Sequence, residues 1–409
     1  MPLIPITEVR MTVLTSPAPL AIDPYAMDVL RHPYDFHEAL RAAGPVAELT
    51  AHGVYGVGGH AEAQEVLKDH RRFSTTGGIG LADARKPGAH FRPLNQLLEV
   101  DPPDHTKLRA VVNRHLSPAK VRGWRADMER DAAALVERLL DGPREVEAVE
   151  HLVESYIFKV FVDAVGVRFD RDAILAIGAM SFNQSGPPND LYHEAMRRVQ
   201  PYLQWFEDSQ QRQHVREGGL AWQFFLEEDA GTIAPGTASN LTRTFVRGGM
   251  DSTIAGIGST LLHLSRQPAQ WQWLREDPSR ARGAFEEGTR METPFQVTYR
   301  VTLADCELAG VQLQADRKVG VFLGAANRDP RRWERPDDYD ARRNTVGHLA
   351  FGAGDHNCIG QMMARLEAEC LLAALLARVK AIEPAGAPEW RPVNQMRTLD
   401  RLPLRLVPQ

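Results

Sequence analysis

The chain has 409 residues, of which 43% are hydrophobic and 25% are charged, proportions that are ordinary for a folded globular protein. Its formal net charge of -5 excludes an overall electrostatic attraction to nucleic acid. Three scattered cysteines are too few for a disulfide framework. We therefore predict one large folded unit in a reducing cytoplasm, without a nucleic-acid partner.

The first twenty residues mix proline, glutamate and arginine into short apolar stretches. They lack the roughly 20 consecutive apolar residues of a membrane anchor. They also lack the continuous apolar region of a secretory signal. We therefore expect residues 1–20 to form a flexible arm, residues 21–409 to form a single domain, and the protein to have no membrane partner.

Three regions with different sequence periodicity follow the arm. Short strand-like segments between residues 46 and 75, broken by glycines, predict a small sheet with tight turns. From about residue 105 to 290, apolar residues recur three and four apart, which predicts helices. After Pro294 the sequence is β-rich, except for a helix that begins near Ile359, and LPLRLVP predicts a last strand. The predicted fold class is mainly α with a smaller β-rich region.

The segment 239–268 predicts one long helix of about 40 Å at the standard rise per residue. Its central Gly248-Gly249 pair weakens the helix by about 1 kcal/mol for each glycine relative to alanine. Such a cost indicates a packing or functional role for the centre of the helix. The polar residues that follow are Asp251, Ser252 and Thr253. An alternative is that the acid only forms an ion pair with Arg247, one turn earlier.

A glycine-rich loop, FGAGDHNCIG, occupies residues 351–360 and runs directly into the last predicted helix. Its cysteine, Cys358, stands just before the helix, where the helix dipole and unpaired backbone N–H groups stabilise a thiolate. The loop glycines allow turns and a close approach to a flat macrocycle. This spacing is typical of a metal ligand, and the alternative is a buried, inert cysteine.

This loop resembles the haem-binding signature of cytochromes P450, Phe-Gly-x-Gly-x-His-x-Cys-x-Gly, at every fixed position. The resemblance covers roughly residues 20–409 and implies the triangular-prism P450 fold around one buried haem b. It implies that Cys358 is the iron's thiolate ligand. The loop residues that it places at the haem are Phe351, Gly352, His356, Cys358 and Gly360.

The resemblance also assigns residues outside the loop. His105 and Arg109 are expected to bind one haem propionate, and Arg300, with His356, the other. Glu287 and Arg290 stand three residues apart on one helix face, a spacing that alone indicates an ordinary surface ion pair. In the family this pair belongs to a buried network beneath the haem. We expect Arg343 to support that network.

The resemblance implies a monooxygenase that uses O₂ and two electrons from a separate ferredoxin or flavodoxin-like carrier with its reductase. Asp251 and Ser252 are expected to relay protons to the site of oxygen activation, with Thr253 as a second alcohol. Ser252 stands where the family usually has threonine, so its hydroxyl is less restrained. A basic patch for docking an acidic carrier is predicted at Arg109, Arg114, Lys120 and Arg122.

The segments that line the substrate pocket in this family carry several cations here. The candidate substrate residues are Arg92, Asn95, Phe182, Arg243, Thr244, Arg247, Gly248, Phe295 and Thr298. A buried guanidinium without an anion is costly, so these residues predict a small anionic aromatic substrate. The chain is similar to P450s that hydroxylate or O-demethylate para-substituted benzoates, and Arg247 also suits an aryl phosphate such as cresyl phosphate.

Other functions remain open at this point. If the pocket arginines face solvent or other acids, the substrate is a neutral apolar molecule or a carrier-bound natural product. A haem-binding sensor without turnover needs only the thiolate loop and the propionate contacts. The acid and alcohol at Asp251 and Ser252 favour an enzyme over such a sensor.

Overall fold

The computed structural model describes residues 14–87 and 94–409. Helices occupy most of residues 104–292, the N-terminal region alternates short strands with short helices, and strands occupy most of the regular structure from residue 297 onward. This distribution confirms the predicted mainly α fold with a smaller β-rich region. Within the described ranges, we find no helix with the length and apolar character needed to span a membrane.

Short strands form one six-stranded sheet, a three-stranded sheet and two hairpins. In chain order they are β1 (Ala18–Leu20), β2 (Ala47–Leu49), β3 (Val54–Val57), β4 (Phe73–Ser74), β5 (Glu145–Glu147), β6 (Val297–Thr302), β7 (Cys306–Leu308), β8 (Val311–Leu313), β9 (Lys318–Phe322), β10 (Val379–Pro384), β11 (Glu389–Pro392), β12 (Arg397–Arg401) and β13 (Pro403–Pro408). The large sheet has the order β1-β2-β3-β9-β6-β4. β1 contains the last three residues of the predicted arm and pairs in parallel with β2.

The described part of the chain has helices that pack around the largest hydrophobic core and others that pack on smaller cores beside the sheets. Its helices are α1 (Met27–Arg31), α2 (Tyr34–Ala42), α3 (His60–Lys68), α4 (Asp104–His115), α5 (Pro118–Gly123), α6 (Arg125–Asp141), α7 (Ser155–Val165), α8 (Arg171–Asn183), α9 (Asp190–Val199), α10 (Leu203–Ser209), α11 (Leu220–Asp229), α12 (Thr237–Gly248), α13 (Asp251–Ser265), α14 (Pro268–Glu276), α15 (Ala281–Glu292), α16 (Leu323–Ala326) and α17 (Gln361–Arg378). Local signals set several of their ends. The Asp170 carboxylate accepts the backbone N–H of Ala173 and caps α8, and α7 ends at Gly166 in a left-handed conformation.

Helix α13 lies at the centre of this core. Every residue from Thr253 to Ser265 is buried, and the helix packs against α15 and β12. A helix that is enclosed on all sides needs small or apolar residues around its whole circumference, and its alanine, glycine, isoleucine and leucine residues meet this need. The N-terminal end of α13 therefore has a fixed position, which matters for the site described below.

The predicted long helix over residues 239–268 is wrong in one respect, because the chain forms two helices, α12 and α13, with a break at Gly249-Met250. A Cβ atom at Gly249 would overlap the ring of Phe161, so a tertiary contact requires glycine there. At the break the Thr253 amide donates to the Met250 carbonyl, three residues back, at 3.0 Å. The low helix propensity of the glycine pair lets the helix break at this position.

Candidate active site

A cavity of ≈ 300 Å³ lies between the cysteine loop and the break that separates α12 from α13. Most of the predicted site residues line it. The cofactor residues on its walls are Arg109, Arg300, Phe351, Gly352, His356, Cys358 and Gly360. The substrate residues on its walls are Asn95, Phe182, Thr244, Arg247, Gly248, Phe295 and Thr298. The sequence analysis therefore identified residues that the fold brings together.

The cysteine loop has the geometry expected of a metal-ligand loop. Gly352 and Gly354 have φ values of 68° and 70°, and the Cys358 amide donates to the Phe351 carbonyl at 2.7 Å. Burial raises the pKa of the Cys358 thiol, while N–H donors from Gly360 and the first turn of α17 act in the opposite direction. The sulfur therefore faces the cavity with hydrogen-bond donors already directed at it.

Basic side chains from separate elements surround this loop. The rings of His105 and His356 are 4.0 Å apart between centroids, and both nitrogens of His105 are buried without a partner. Arg300 is carried into the interior by β6, and its guanidinium donates only to the Thr298 hydroxyl and the Tyr299 carbonyl. Among the described residues no carboxylate lies within 4.0 Å of it, although the more distant Asp101 opposes the effect of burial on its pKa.

The electrostatics of this cluster favour the binding of an anion. Burial lowers the pKa of Arg300 to about 10, and burial together with Arg300, His105 and Arg109 lowers the pKa of His356 to about 2. The lowered pKa values show that burial and the neighbouring positive charges disfavour further positive charge here, a penalty that bound anionic groups would reduce. Haem carries two propionates, so these residues fit haem, with Cys358 as its iron ligand.

A buried ion-pair network supports the site from α15. The carboxylate of Glu287 accepts two hydrogen bonds from Arg290, at 2.7 and 3.0 Å, and one from Arg343 at 2.9 Å. Glu287 and Arg290 are both fully buried. Arg290 also donates to the backbone carbonyl of Asn327 at 2.7 Å, and the side chain of Asn327 accepts the Leu349 amide, just before the loop. The sequence analysis missed Asn327, which links the network to the loop.

A second acid, Glu286, also escaped the sequence analysis. It accepts a hydrogen bond from His348 at 2.7 Å and another from Arg365 on α17. Burial alone would raise the pKa of Glu286, but these two donors lower it to about 2. Only its position beside Glu287 in FEEGTR could have drawn attention to it.

The three predicted relay residues lie at the start of α13 but face different ways. Ser252 and Thr253 line the cavity, and their hydroxyls lie 3.4 Å from the carbonyls of Gly248 and Gly249. The Asp251 carboxylate packs against α8, where a Cβ atom at Gly178 would overlap it. Burial raises its pKa to about 6, and the positive charge of Arg391 opposes this shift.

Asp251 and Arg247 are both described, and they do not form the alternative ion pair. Arg247 lines the cavity and its Nε atom donates to the Ser181 hydroxyl at 3.1 Å. Ser181 belongs to α8 and was missed by the sequence analysis, because no local signal connects residues that are 66 positions apart. Arg247 thus adds a cation to a cavity wall that also includes Arg109 and Arg300.

One predicted substrate residue lies off the described cavity walls, and another lies outside the described residues. Arg243 is not among the residues that line the cavity, because its guanidinium lies over the ring of Phe206 and 3.7 Å from Glu207. The adjacent α10 supplies both of these partners. Arg92 lies outside the described residues.

Comparisons with known proteins show the family to which the chain is similar. The family model "Cytochrome P450" matches residues 220–398. Cytochrome P450 CYP199A2 of Rhodopseudomonas palustris is 42% identical over 390 residues, which cover 95% of this chain and 94% of that protein. Cytochrome P450 107B1 of Saccharopolyspora erythraea is 32% identical, with 83% of this chain and 84% of that protein covered.

Among solved structures, cytochrome P450 CYP109Q5 from Chondromyces apiculatus matches with a TM-score of 0.77 and 30% identity, covering 95% of this chain and 99% of that chain. Its match extends through the helical body and the sheets alike. Given this similarity over nearly the whole length, the chain belongs to the cytochrome P450 family, and it is a monooxygenase with haem b as its cofactor.

Proposed function

We propose that this P450 oxidises the para substituent of a small anionic aromatic molecule, by hydroxylation or O-demethylation. The haem, when bound, supplies oxygen activation from O₂ and two electrons. The observation that carries the proposal is the position of Arg247 on a cavity wall. The other arginines on the described walls, Arg109 and Arg300, belong to the cluster that suits the propionates. Arg247 lies outside that cluster, on the cavity wall beside α8, where its Nε atom donates to Ser181.

The walls near Arg247 suit an aromatic ring. Phe182 and Phe295 both line the cavity and meet edge to face, with centroids 6.2 Å apart and planes at 72°. Flat apolar walls with one directional polar group bind an arene in a defined orientation. Both a benzoate and an aryl phosphate combine such a ring with an anion that a guanidinium binds.

We expect 4-methoxybenzoate and 4-cresyl phosphate to shift the haem optical spectrum at much lower concentrations than the neutral 4-methylanisole. Arg247→Ala should weaken anion binding by roughly 30-fold or more, because an unpaired buried charge costs about 2–5 kcal/mol. The loss should be larger for the phosphate if it binds as a dianion. Arg243→Ala is the matched control and should change affinity by about twofold or less. Equal wild-type affinity for all three ligands would contradict the proposal and favour a neutral substrate.

We propose that Asp251, Ser252 and Thr253 deliver protons during turnover. Asp251 is held at the start of α13 with a raised pKa, and the two hydroxyls face the cavity. An acid with a pKa near 6 both takes up and releases protons close to neutral pH. Because Asp251 packs against α8, its protons would come from that side, and the hydroxyls would pass them to the cavity.

Asp251→Asn should slow turnover by roughly tenfold or more, and Ser252→Ala should increase the fraction of electrons lost as hydrogen peroxide.

The relay also predicts a dependence on pH. The pKa of Asp251 in the folded protein is about 6, above the usual 3.8, so its carboxyl group is mostly protonated below pH 6 and mostly ionised above it. The wild-type rate should therefore change near pH 6, and Asp251→Asn should remove that change. Measurements of NADH and oxygen consumption from pH 5 to 8 test this. Unchanged rates and coupling in both variants would exclude the relay.

We propose that the electron carrier docks at α5. Lys120 and Arg122 are exposed there, without an ion-pair partner among the described residues, and α5 contacts α17, the helix that follows Cys358. The other two patch residues are less available, since Arg114 pairs with Glu227 at 2.8 Å and Arg109 donates to Asn357 at 2.6 Å. An acidic ferredoxin or flavodoxin-like protein suits this patch.

Replacing Lys120 and Arg122 together by glutamate should slow reduction by an acidic ferredoxin roughly tenfold at low ionic strength. The difference from wild type should shrink as salt is added. Chemical reduction by dithionite is the control and should be unaffected. A carrier-dependent rate that is insensitive to these charges at every salt concentration would place docking elsewhere.

A further inference from the structure

The polar side chains on the cavity wall differ in how many of their hydrogen-bonding groups already have partners within the protein. The side-chain oxygen of Asn95 accepts the amides of Leu97 and Leu98, each at 2.9 Å. Its amide nitrogen donates to the Thr244 hydroxyl at 2.7 Å, and that hydroxyl donates to the Asn240 carbonyl at 2.9 Å. This pair therefore ties the segment before α4 to α12, and the single hydroxyl proton of Thr244 is already used.

Ser181, on the neighbouring helix, is arranged differently. Its hydroxyl donates to the Ile177 carbonyl at 2.7 Å, one turn earlier on α8. A hydroxyl has one proton, and here that proton is already donated to Ile177. The oxygen can therefore only accept a hydrogen bond from Arg247, and it accepts one from the Nε atom at 3.1 Å. Ser181 is 7% exposed, so water competes little for this contact. The hydroxyl is thereby fixed as an acceptor for the guanidinium.

This contact sets the orientation of Arg247. A guanidinium is planar, and a hydrogen bond at Nε restricts rotation of that plane. Anion binding would then use the Nη1 and Nη2 atoms, the pair that matches two oxygens of a carboxylate or phosphate. Phe182, the residue after Ser181, forms part of the aromatic wall. One short stretch of α8 thus fixes both the arginine and the wall for the ring.

We propose that Ser181 is a positioning residue that aims Arg247 and so determines the preference of this enzyme for anionic over neutral arenes. The inference rests on the proposed function, because it assumes that Arg247 binds the substrate anion. It adds a residue that acts through Arg247 and need not touch the substrate. Asn95 and Thr244, by contrast, act chiefly to hold the cavity wall together.

The test is a set of optical binding titrations on the haem-loaded protein, with 4-methoxybenzoate and the neutral 4-methylanisole. Ser181→Ala should weaken benzoate binding about tenfold, the usual effect of losing a hydrogen bond to a charged group, and leave 4-methylanisole unchanged. Ser181→Thr keeps the hydroxyl and should restore most of the affinity. Ser185→Ala is the matched control, because Ser185 is equally buried, lines the same cavity and donates to the Ser181 carbonyl instead of contacting Arg247.

A double-mutant cycle separates positioning from packing. In the Arg247→Ala background, Ser181→Ala should cause no further loss, since its effect passes through the arginine. A tenfold loss that persists without Arg247, or an equal loss for both ligands, would overturn the role of Ser181. If the wild type does not prefer the anion at all, the proposed substrate class itself is wrong. If it prefers the anion and Ser181→Ala keeps that full preference, only the positioning role is wrong.

Discussion

Replacing Cys358 with serine is expected to abolish the red-shifted Soret band of the reduced carbon monoxide complex. That band depends on electron donation from a thiolate ligand to the iron, which a serine hydroxyl does not supply. The backbone donors of Gly360 and the first turn of α17 remain in the variant, so the change is limited to the ligand atom. The measurement is the carbon monoxide difference spectrum of the purified, haem-loaded protein.

Cys370→Ala provides the matched control for this experiment. Cys370 is buried inside α17, where burial raises the pKa of its thiol to about 12. A thiol in that environment stays protonated and does not act as a metal ligand. The control should keep the full band, although the small cavity that it creates costs some stability. Survival of the band in Cys358→Ser would mean that another group binds the iron.

The cysteine loop could be predicted from the sequence because its requirements are local. Ten consecutive residues, 351–360, contain the ligand, the glycines and the start of the next helix. The φ values of Gly352 and Gly354 and the donors directed at Cys358 are consequences of that short stretch. Nothing distant in the chain is needed to recognise it.

The break between α12 and α13 shows where local information is insufficient. Periodicity predicted a continuous helix, and the glycine pair only marked a weak point in it. The break also involves the ring of Phe161 on α7, which occupies the space beside Gly249. That packing depends on the arrangement of whole helices, which a repeat of three and four residues does not specify.

The two arginines of α12 show that sequence periodicity also fails to predict the contacts of side chains. Arg243 and Arg247 are four residues apart, so periodicity places them on one helix face. Their side chains nevertheless have different surroundings. Arg243 contacts Glu207 and Phe206, whereas Arg247 donates a hydrogen bond to Ser181. The cluster of basic residues around the cysteine loop is likewise a tertiary property, and only the family resemblance pointed to it.

The buried pair on α15 was recognised as an ion pair from its spacing, but its energetic role depends on burial. In water a pair three residues apart on a helix contributes little to stability. Here both side chains are fully buried, and Arg343 and the backbone amide of Asp340 complete the hydrogen bonds of Glu287. Removing Arg290 would leave the buried Glu287 carboxylate with Arg343 as its one described ion-pair partner, and loss of a partner from a buried pair typically costs about 3–5 kcal/mol.

Arg290→Ala is therefore expected to lower the free energy of unfolding by about 3–5 kcal/mol, a large fraction of the roughly 5–15 kcal/mol available to a folded protein. Because Arg290 also donates to the Asn327 carbonyl, and Asn327 holds the Leu349 amide, the cysteine loop should loosen and the haem content should fall. Urea unfolding and the ratio of haem to protein measure the two effects. The control is Arg130→Ala, which breaks an exposed pair with Asp127 at the same helical spacing and should leave both values unchanged. Equal behaviour of the two variants would show that the buried network contributes no more than a surface ion pair.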